Sequence, residues 1–459
     1  MKELKRELYL SRIRQFYKDA DVIKVLTGVR RCGKSTIMKQ IMDEIATDPD
    51  GRGAIVYIDL DARRNLDVRT VESLGKLVDS EFGDCQGKRY LFIDEIQNVI
   101  GFEPLINAYR NEGVSVFITG SNSYLLSGEL TTKLTGRYVE FRISTFAFSE
   151  VRAFYEINGM EFVPSSAFQE YILEGGYPKS YSYPDHDSKA LYIRSVIEET
   201  VKKDILTSRR IRNRTLLSKL LDYILSTPGA EISSTSIAAY LRSERIDVNP
   251  DTVNRHLELI FASRLADRCM RFDLSGKKAL KTRYKSYVAD ISLYTSYPDG
   301  CHDIRMGSIV ENIVFNELKA RGYDVRVGTF RDAEVDFVVS NGRDLAYIQA
   351  TYLLASPETE EREERSLLKI KDNYPKYIIS MDPVVLDSKG IRRLRLVEDF
   401  LLGDGFRFRC GGHHRIRFIS RSVAWPYDSR LRYRYHRLAT CGCDDNLRQS
   451  PYRHSRIPF

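Results

Sequence analysis

Residues 28–35 read Gly28-Val29-Arg30-Arg31-Cys32-Gly33-Lys34-Ser35 and fit the pattern G-x-x-x-x-G-K-[ST]. Two glycines at this spacing let a backbone wrap closely around phosphates. The amides of Arg30, Arg31, Cys32 and Gly33, with Thr36 just inside the next helix, then surround the anion at a helix N-terminus. Lys34 is placed to reach the β- and γ-phosphates, and the Ser35 hydroxyl to ligate Mg²⁺. Sixty residues after Lys34, the apolar run Tyr90-Leu91-Phe92-Ile93 ends in Asp94-Glu95. Asp94 suits a Mg²⁺ ligand acting through water, and Glu95 suits the group that polarises an attacking water. Val114–Thr119 runs into Gly120-Ser121-Asn122. A polar residue there can sense a γ-phosphate; Asn122 is preferred over Ser121, and a plain strand-to-turn exit is the alternative. Arg137, in Leu134-Thr135-Gly136-Arg137, reads either as an arginine finger for a neighbouring subunit's nucleotide or as an ordinary surface arginine.

These residues need a scaffold that holds them at one edge. VIKVLT (22–27) is a buried-strand pattern leading into the glycine-rich loop. Ile37, Ile41 and Ile45, four apart, mark the helix that follows it. Further strand patterns fall near 54–59, 89–93, 114–119 and 138–143. The runs VIKVLTGVRRCGKST, LFIDEIQ, ITGSNSYLL and LTGR together resemble the AAA+-type P-loop ATPases of bacteria and archaea. More narrowly, they are similar to the prokaryotic ATPases that carry a C-terminal domain of unknown function. The resemblance spans about residues 5–403, and Gln97 and the TGS run mark the subgroup. It implies an α/β fold with a five-stranded parallel sheet covered by helices on both faces, and ATP with Mg²⁺ as ligands. It also implies a small helical lid over 146–210, where EGGYPKSY (174–181) signals a tight turn. Within it, the charged stretch IEETVKKDI (197–205) reads as a solvated helix face.

Residues 211–300 change character. LLSKLLDYIL, ISSTSIAAYL and NPDTVNRHLELI are three helical patterns, the last opened by Asn249, Pro250 and Asp251. RLADRCMRFD and KKALKTRYKSYV follow as a hairpin, giving the order of a winged helix. Its third helix presents Thr252, Asn254, Arg255 and Glu258 outward, which suits duplex DNA; packing between domains is the alternative, and Glu244 and Glu258 weaken a pure phosphate-binding face.

Residues 301–403 begin with a helical stripe, Ile309, Val310, Ile313, Val314 and Leu318. Strand patterns at 323–327, 334–339 and 345–351, a charged helix at about 360–372 and a strand at 376–381 complete the order α-β-β-β-α-β. That order resembles the PD-(D/E)XK nuclease fold, whose metal site takes an acid from the second strand, and an acid and a lysine from the third. Asp336 takes the first place, Gln349 the second, Glu311 serves as a further ligand from the first helix, and Thr351 stands where the lysine belongs. An active ATP-regulated nuclease and a retired fold kept for binding or assembly both remain open. The run 357–376 is charge-rich and reads as a solvated face.

The chain has 459 residues, enough for about three domains. It has no apolar run near the ~18 residues of a membrane helix. The formal charge of +8 is uneven: residues 405–459 hold 12 Arg and 3 Asp with no Lys or Glu, so the remainder has 59 basic against 60 acidic residues. The overall basicity therefore says nothing about nucleic acid. In the tail (404–459), Cys410, His413, His414, Cys441 and Cys443 lack standard zinc spacing, and RLRYRYHR interleaves arginine with aromatics as a nucleic-acid arm does. The break in composition reads as sequence not shaped by the fold. Scattered cysteines fit a reducing cytoplasm. The expectations are a cytoplasmic Mg²⁺-dependent ATPase, homo-oligomeric, with ATP and duplex DNA as partners and no membrane. An ATP-switched scaffold without turnover is kept beside it.

Overall fold

The structure, a computed structural model, describes residues 1–407 except 50–52, 86, 121–135, 207–212, 277 and 298–304, together with 331–332; side chains at 277–282 are also left out. Ser121, Asn122 and the whole arginine-rich tail with its Cys/His set therefore lie outside the described residues.

After helix α1 (Glu7–Ile13), five parallel strands alternate with helices: β1 (Ile23–Thr27), α2 (Lys34–Thr47), β2 (Ala54–Asp59), α3 (Val71–Phe82), β3 (Arg89–Asp94), α4 (Glu103–Asn111), β4 (Ser115–Thr119) and β5 (Tyr138–Arg142). The sheet order is β2-β3-β4-β1-β5. Successive side chains of a strand point to opposite faces, and here both faces are covered. Ile23, Val25, Val56, Ile58, Leu91, Ile93, Val116 and Ile118 pack with Leu74, Val78 and Ile106 of α3 and α4. Leu26, Phe92 and Phe117 pack with Leu10 of α1 and with Ile37, Ile41 and Ile45 of α2. The fourfold spacing of those three isoleucines puts them on one face of α2, where each is fully buried and contributes roughly 1.5–3 kcal/mol.

Helices α5 (Phe148–Ile157), α6 (Pro164–Glu174) and α7 (His186–Thr200) follow, and α7 runs on into a wider turn over Val201–Ile205. Next come α8 (Arg214–Ser226), the two-residue β6 (Glu231–Ile232), α9 (Ser234–Ser243) and α10 (Pro250–Ala262). Asn249 caps α10 by accepting from the Thr252 amide at 2.8 Å, and Pro250 occupies its first turn. Strands β7 (Ala266–Asp273) and β8 (Lys278–Val288) form an antiparallel hairpin.

The last part runs α11 (Met306–Ala320), β9 (Asp324–Phe330), β10 (Ala333–Ser340), β11 (Leu345–Ala350), α12 (Pro357–Leu368), β12 (Lys376–Ser380) and β13 (Ile391–Arg395). Through β12 this is the α-β-β-β-α-β order read from the sequence. The charged helix begins and ends earlier than expected, because Ser356 caps it at the Thr359 amide and Pro357 sets its first turn. One eight-stranded sheet, β13-β12-β11-β10-β9-β7-β8-β6, joins these strands to the hairpin. The join is the parallel pairing of β7 with β9, Arg271 opposite Val327 and Asp273 opposite Thr329.

Candidate functional site

The glycine-rich loop leaves the C-terminal end of β1, which lies between β4 and β5 in the sheet. Gly28 sits at φ +148° under the Ile143 carbonyl; a Cβ there would lie 2.0 Å from that oxygen. Only glycine fits this approach. Lys34 opens α2 and folds back, donating to the carbonyls of Gly28 at 3.0 Å and Val29 at 3.2 Å. Ser35 and Thr36 are half-buried in the first turn of the same helix. Cys32 is buried, its thiol on the Ile143 carbonyl.

The loop is held from behind by a residue the sequence reading missed. Arg6 is 1% exposed and uses all five N–H donors: a fork onto Glu150, and single bonds to the carbonyls of Cys32, Ser144 and Thr145. Burial pulls its pKa down, and Glu150 outweighs that, leaving the guanidinium more firmly charged than usual. No local pattern marks Arg6 among the charged residues of MKELKRELYL.

The acidic pair lies at the tip of β3, one strand beyond β4. The Thr119 hydroxyl, from the end of β4, donates to Asp94 and accepts from the Glu95 amide at 3.1 Å. Tyr57 donates to the other Asp94 oxygen at 3.2 Å. Burial, then the Asp94 charge, raises the Tyr57 hydroxyl above its ordinary pKa, so it stays a donor. Glu95 adopts left-handed φ, 57°, and its carboxylate accepts from the Gln97 amide group. A non-glycine residue held there carries roughly 1–3 kcal/mol of strain. The two side chains expected to hold Mg²⁺, the Ser35 hydroxyl and the Asp94 carboxylate, offer only hard oxygen, the kind of donor that ion takes.

Arg30 and Arg31 turn toward the end of α7 and the wider turn that follows it. Arg30 forks onto Asp204 at 2.9 and 3.2 Å and lies 3.7 Å from Glu199; Arg31 reaches Glu199 at 3.3 Å. Burial lowers the Arg30 pKa, and the hydrogen bond and charge of Asp204 more than reverse it. The expectation that 197–205 is only a solvated face is thus corrected. Asp204 is 7% exposed, and its partner lies 174 positions away. Arg137 is exposed just before β5, with its carbonyl accepting from Ile23 at the opening of β1. β1 and β5 are parallel, so Arg137 stands at the sheet edge opposite this chain's own glycine-rich loop.

The AAA domain family matches residues 20–152, and a domain of unknown function, DUF8612, matches residues 165–299. A Haemophilus influenzae protein described as uncharacterized is 32% identical over 378 residues, covering 82% of this chain and 93% of the relative. The chain belongs to the AAA-type P-loop ATPase family.

An uncharacterized protein of Methanocaldococcus jannaschii is 28% identical over 368 residues, 76% of this chain and 79% of its own. Among solved structures, this chain is similar to the Walker-type ATPase of Pyrococcus abyssi, with 16% identity and a TM-score of 0.46 over 64% of this chain and 95% of that one. It also matches an Aeropyrum pernix ORC1 protein in complex with DNA, with 12% identity and a TM-score of 0.30 over 64% of this chain and 92% of that one. No helix among the described residues is long and apolar enough to cross a membrane.

A second polar cluster lies where β8 meets α11 and β10. Glu311, Asp336 and Gln349 do come together. The Lys285 ammonium from β8 lies 2.9 Å from Glu311, 2.7 Å from Glu334 and 3.9 Å from Asp336. Tyr287 donates to the same Glu311 oxygen at 2.6 Å. A bulge in β10 between Val335 and Val338 takes the Asp336 amide off the ladder with β9, and Gln349 accepts it at 2.9 Å. Gln349 donates in turn to Glu363 at 2.8 Å, and the Ala350 amide donates to Asp336 at 2.9 Å. A glutamate at 349 would face Glu363 with like charge; the amide bridges instead. Thr351 stands at the position after β11 where the motif would carry a lysine, and the ammonium in this cluster comes instead from Lys285 of β8, four places along the same sheet. Among the described residues, no group of three or more His, Cys, Asp or Glu is arranged to hold a metal ion. Nor is 357–376 only a solvated face, since Glu363 and Glu364 are buried and Glu364 pairs with Lys389 and Arg393.

On α10, Asn254, Arg255 and Glu258 are exposed and Thr252 is half-buried. Arg255 donates to the Thr252 hydroxyl, and Glu258 pairs with Arg268 of β7.

Proposed function

We propose that this protein binds ATP with Mg²⁺ and hydrolyses its β–γ phosphoanhydride, using the turnover to move the lid helices against the parallel sheet. The observation that carries the reading is the closed glycine-rich loop, with Lys34 drawn onto the Gly28 and Val29 carbonyls at the N-terminus of α2. Lys34 then neutralises the β- and γ-phosphates. Ser35 and Asp94 are the residues that would hold Mg²⁺, which supplies charge neutralisation of the phosphate oxygens. Glu95 orients the attacking water and takes its proton. Asn122 is the proposed γ-phosphate sensor, and Arg137 a finger for the nucleotide of a second copy.

On this reading residues 1–145 are the ATPase domain, 146–210 its lid, 211–300 a winged helix, and 301–403 a nuclease-like fold kept for binding or assembly. Arg30 and Arg31 tie the loop to Glu199 and Asp204, so a change at the phosphates reaches the lid through them.

The test is ATP turnover of the full chain beside Lys34→Ala and Glu95→Gln. Lys34→Ala is expected to lower turnover by at least about 100-fold with weaker ATP binding. Glu95→Gln is expected to lower turnover by about 10²–10⁴-fold while ATP still binds. Stimulation by duplex DNA that Arg255→Ala removes would support DNA as the client of α10. ATP binding without turnover under every condition would replace hydrolysis with a nucleotide-switched scaffold.

A further inference from the structure

The eight-stranded sheet brings an ammonium group into a carboxylate cluster that, on the resemblance to a nuclease fold, belongs to a metal ion. Glu311 comes from α11, Glu334 and Asp336 from β10, and Lys285 from β8 of the preceding hairpin. The lysine side chain is 11% exposed, so its charge has little water to turn to. An ammonium that deep is stable only among acceptors, and here two carboxylates lie within 3 Å.

Most acceptors of the cluster have donors from the chain itself. Glu311 accepts from Tyr287 as well as from Lys285. The second oxygen of Glu334 is held by Arg271 of β7 at 2.7 Å, and Arg271 also holds Glu231 of β6. Asp336 accepts from the Ala350 amide, and Gln349 is spent on the Asp336 amide and Glu363. One oxygen of Glu311, both of Glu334 and one of Asp336 thus face hydrogen donors of the chain, and the second Asp336 oxygen has the Lys285 ammonium 3.9 Å away.

We propose that the Lys285 ammonium is the resident cation of this cluster, standing in the place of a divalent metal and clamping the β7–β8 hairpin to α11 and β10. The acids then serve as a fixed joint between the hairpin and the C-terminal strands, with no metal and no phosphodiester chemistry. Such a joint lets movement of the hairpin carry the C-terminal strands with it. The inference rests on the Lys285 geometry and is independent of whether the chain hydrolyses ATP.

The experiment is Mn²⁺ binding to the nucleotide-free full chain, read by electron paramagnetic resonance, for the wild type, Lys285→Met, Lys285→Arg and Lys285→Met/Asp336→Asn. Mn²⁺ is the probe because it takes the same oxygen ligands as Mg²⁺. The wild type and Lys285→Arg are expected to show no Mn²⁺ that depends on Asp336. Lys285→Met is expected to gain one Mn²⁺ per chain, and the double variant to lose it again. Where Lys285→Met does not fold alone, recovery of the folded form on refolding with Mn²⁺ supports the proposal, and failure to recover overturns it. A folded Lys285→Met chain that takes no Mn²⁺ overturns it as well. So does Asp336-dependent Mn²⁺ binding by the wild type, or Mn²⁺-dependent DNA cleavage lost in Asp336→Ala, which would return the cluster to a metal-dependent nuclease.

Discussion

Thr119 connects the two acids of the candidate site, since one hydroxyl donates to Asp94 and accepts from the Glu95 amide. Thr119→Val keeps the shape and removes both bonds. Partners of this kind typically cost 10–100-fold in activity when lost. The expected result is turnover lowered by about that factor, with ATP affinity changed far less, in steady-state kinetics with direct nucleotide binding alongside. Arg6 acts on the same site through the loop it holds. Arg6→Ala leaves Glu150 buried without its counter-charge and the Cys32 carbonyl without its donor. Breaking a buried pair costs about 3–5 kcal/mol. Urea unfolding should show a loss of that size, and ATP binding should weaken with it.

At the scale of elements, Glu44 of α2 pins the residues on either side of α1. Its carboxylate takes Arg14 at 2.7 and 2.8 Å, Lys5 at 2.7 Å and the Tyr17 hydroxyl at 2.9 Å. The hydrogen bond from Arg14, then those from Lys5 and Tyr17, lower its pKa from 4.5 to about 2 against the opposing effect of burial. A carboxyl lowered in the folded state contributes stability that is present above pH 4.5 and lost as pH falls toward about 2. The site is open to solvent, so the contribution is about 1 kcal/mol after screening. Glu44→Gln should flatten the stability profile between those pH values in chemical unfolding, leaving the profile above pH 6 parallel to the wild type. Periodicity was enough to locate α2, β3 and α10, because each buries one stripe or both faces of a strand against neighbours. It did not show the parallel pairing of β7 with β9, which joins residues 56 positions apart and leaves no local signature.

At the scale of the molecule, the five-stranded parallel sheet and the later eight-stranded sheet meet at a charged pair. Arg142, at the end of β5, donates to Asp267 of β7, and Arg264 reaches both Asp267 and Glu140. Burial opposes the charge on Arg142, and Asp267 more than restores it. A double-mutant cycle with Arg142→Gln and Asp267→Asn should give a coupling energy of about 1–3 kcal/mol in unfolding. A value near zero would mean that this pair does not hold the two sheets together, leaving Arg264 on Glu140 and the apolar packing to do so.

The local order of residues was sufficient for the glycine-rich loop, Asp94, Glu95 and the five strands that carry them. Phosphate binding needs contiguous amides and a helix start, and that requirement is written within eight positions. Glu311, Asp336 and Gln349 were likewise legible from the α-β-β-β-α-β order. What those carboxylates face was decided only by tertiary structure. Lys285 lies 26 positions before Glu311 and 51 before Asp336, on a strand that reaches them only because two sheets became one. Arg6 on Glu150, Asp204 on Arg30 and Gln349 on Glu363 belong to the same class. A buried charge is stable only beside its partner, and the partner is chosen by packing, so a run of charged letters such as 197–205 cannot say which of its members face water.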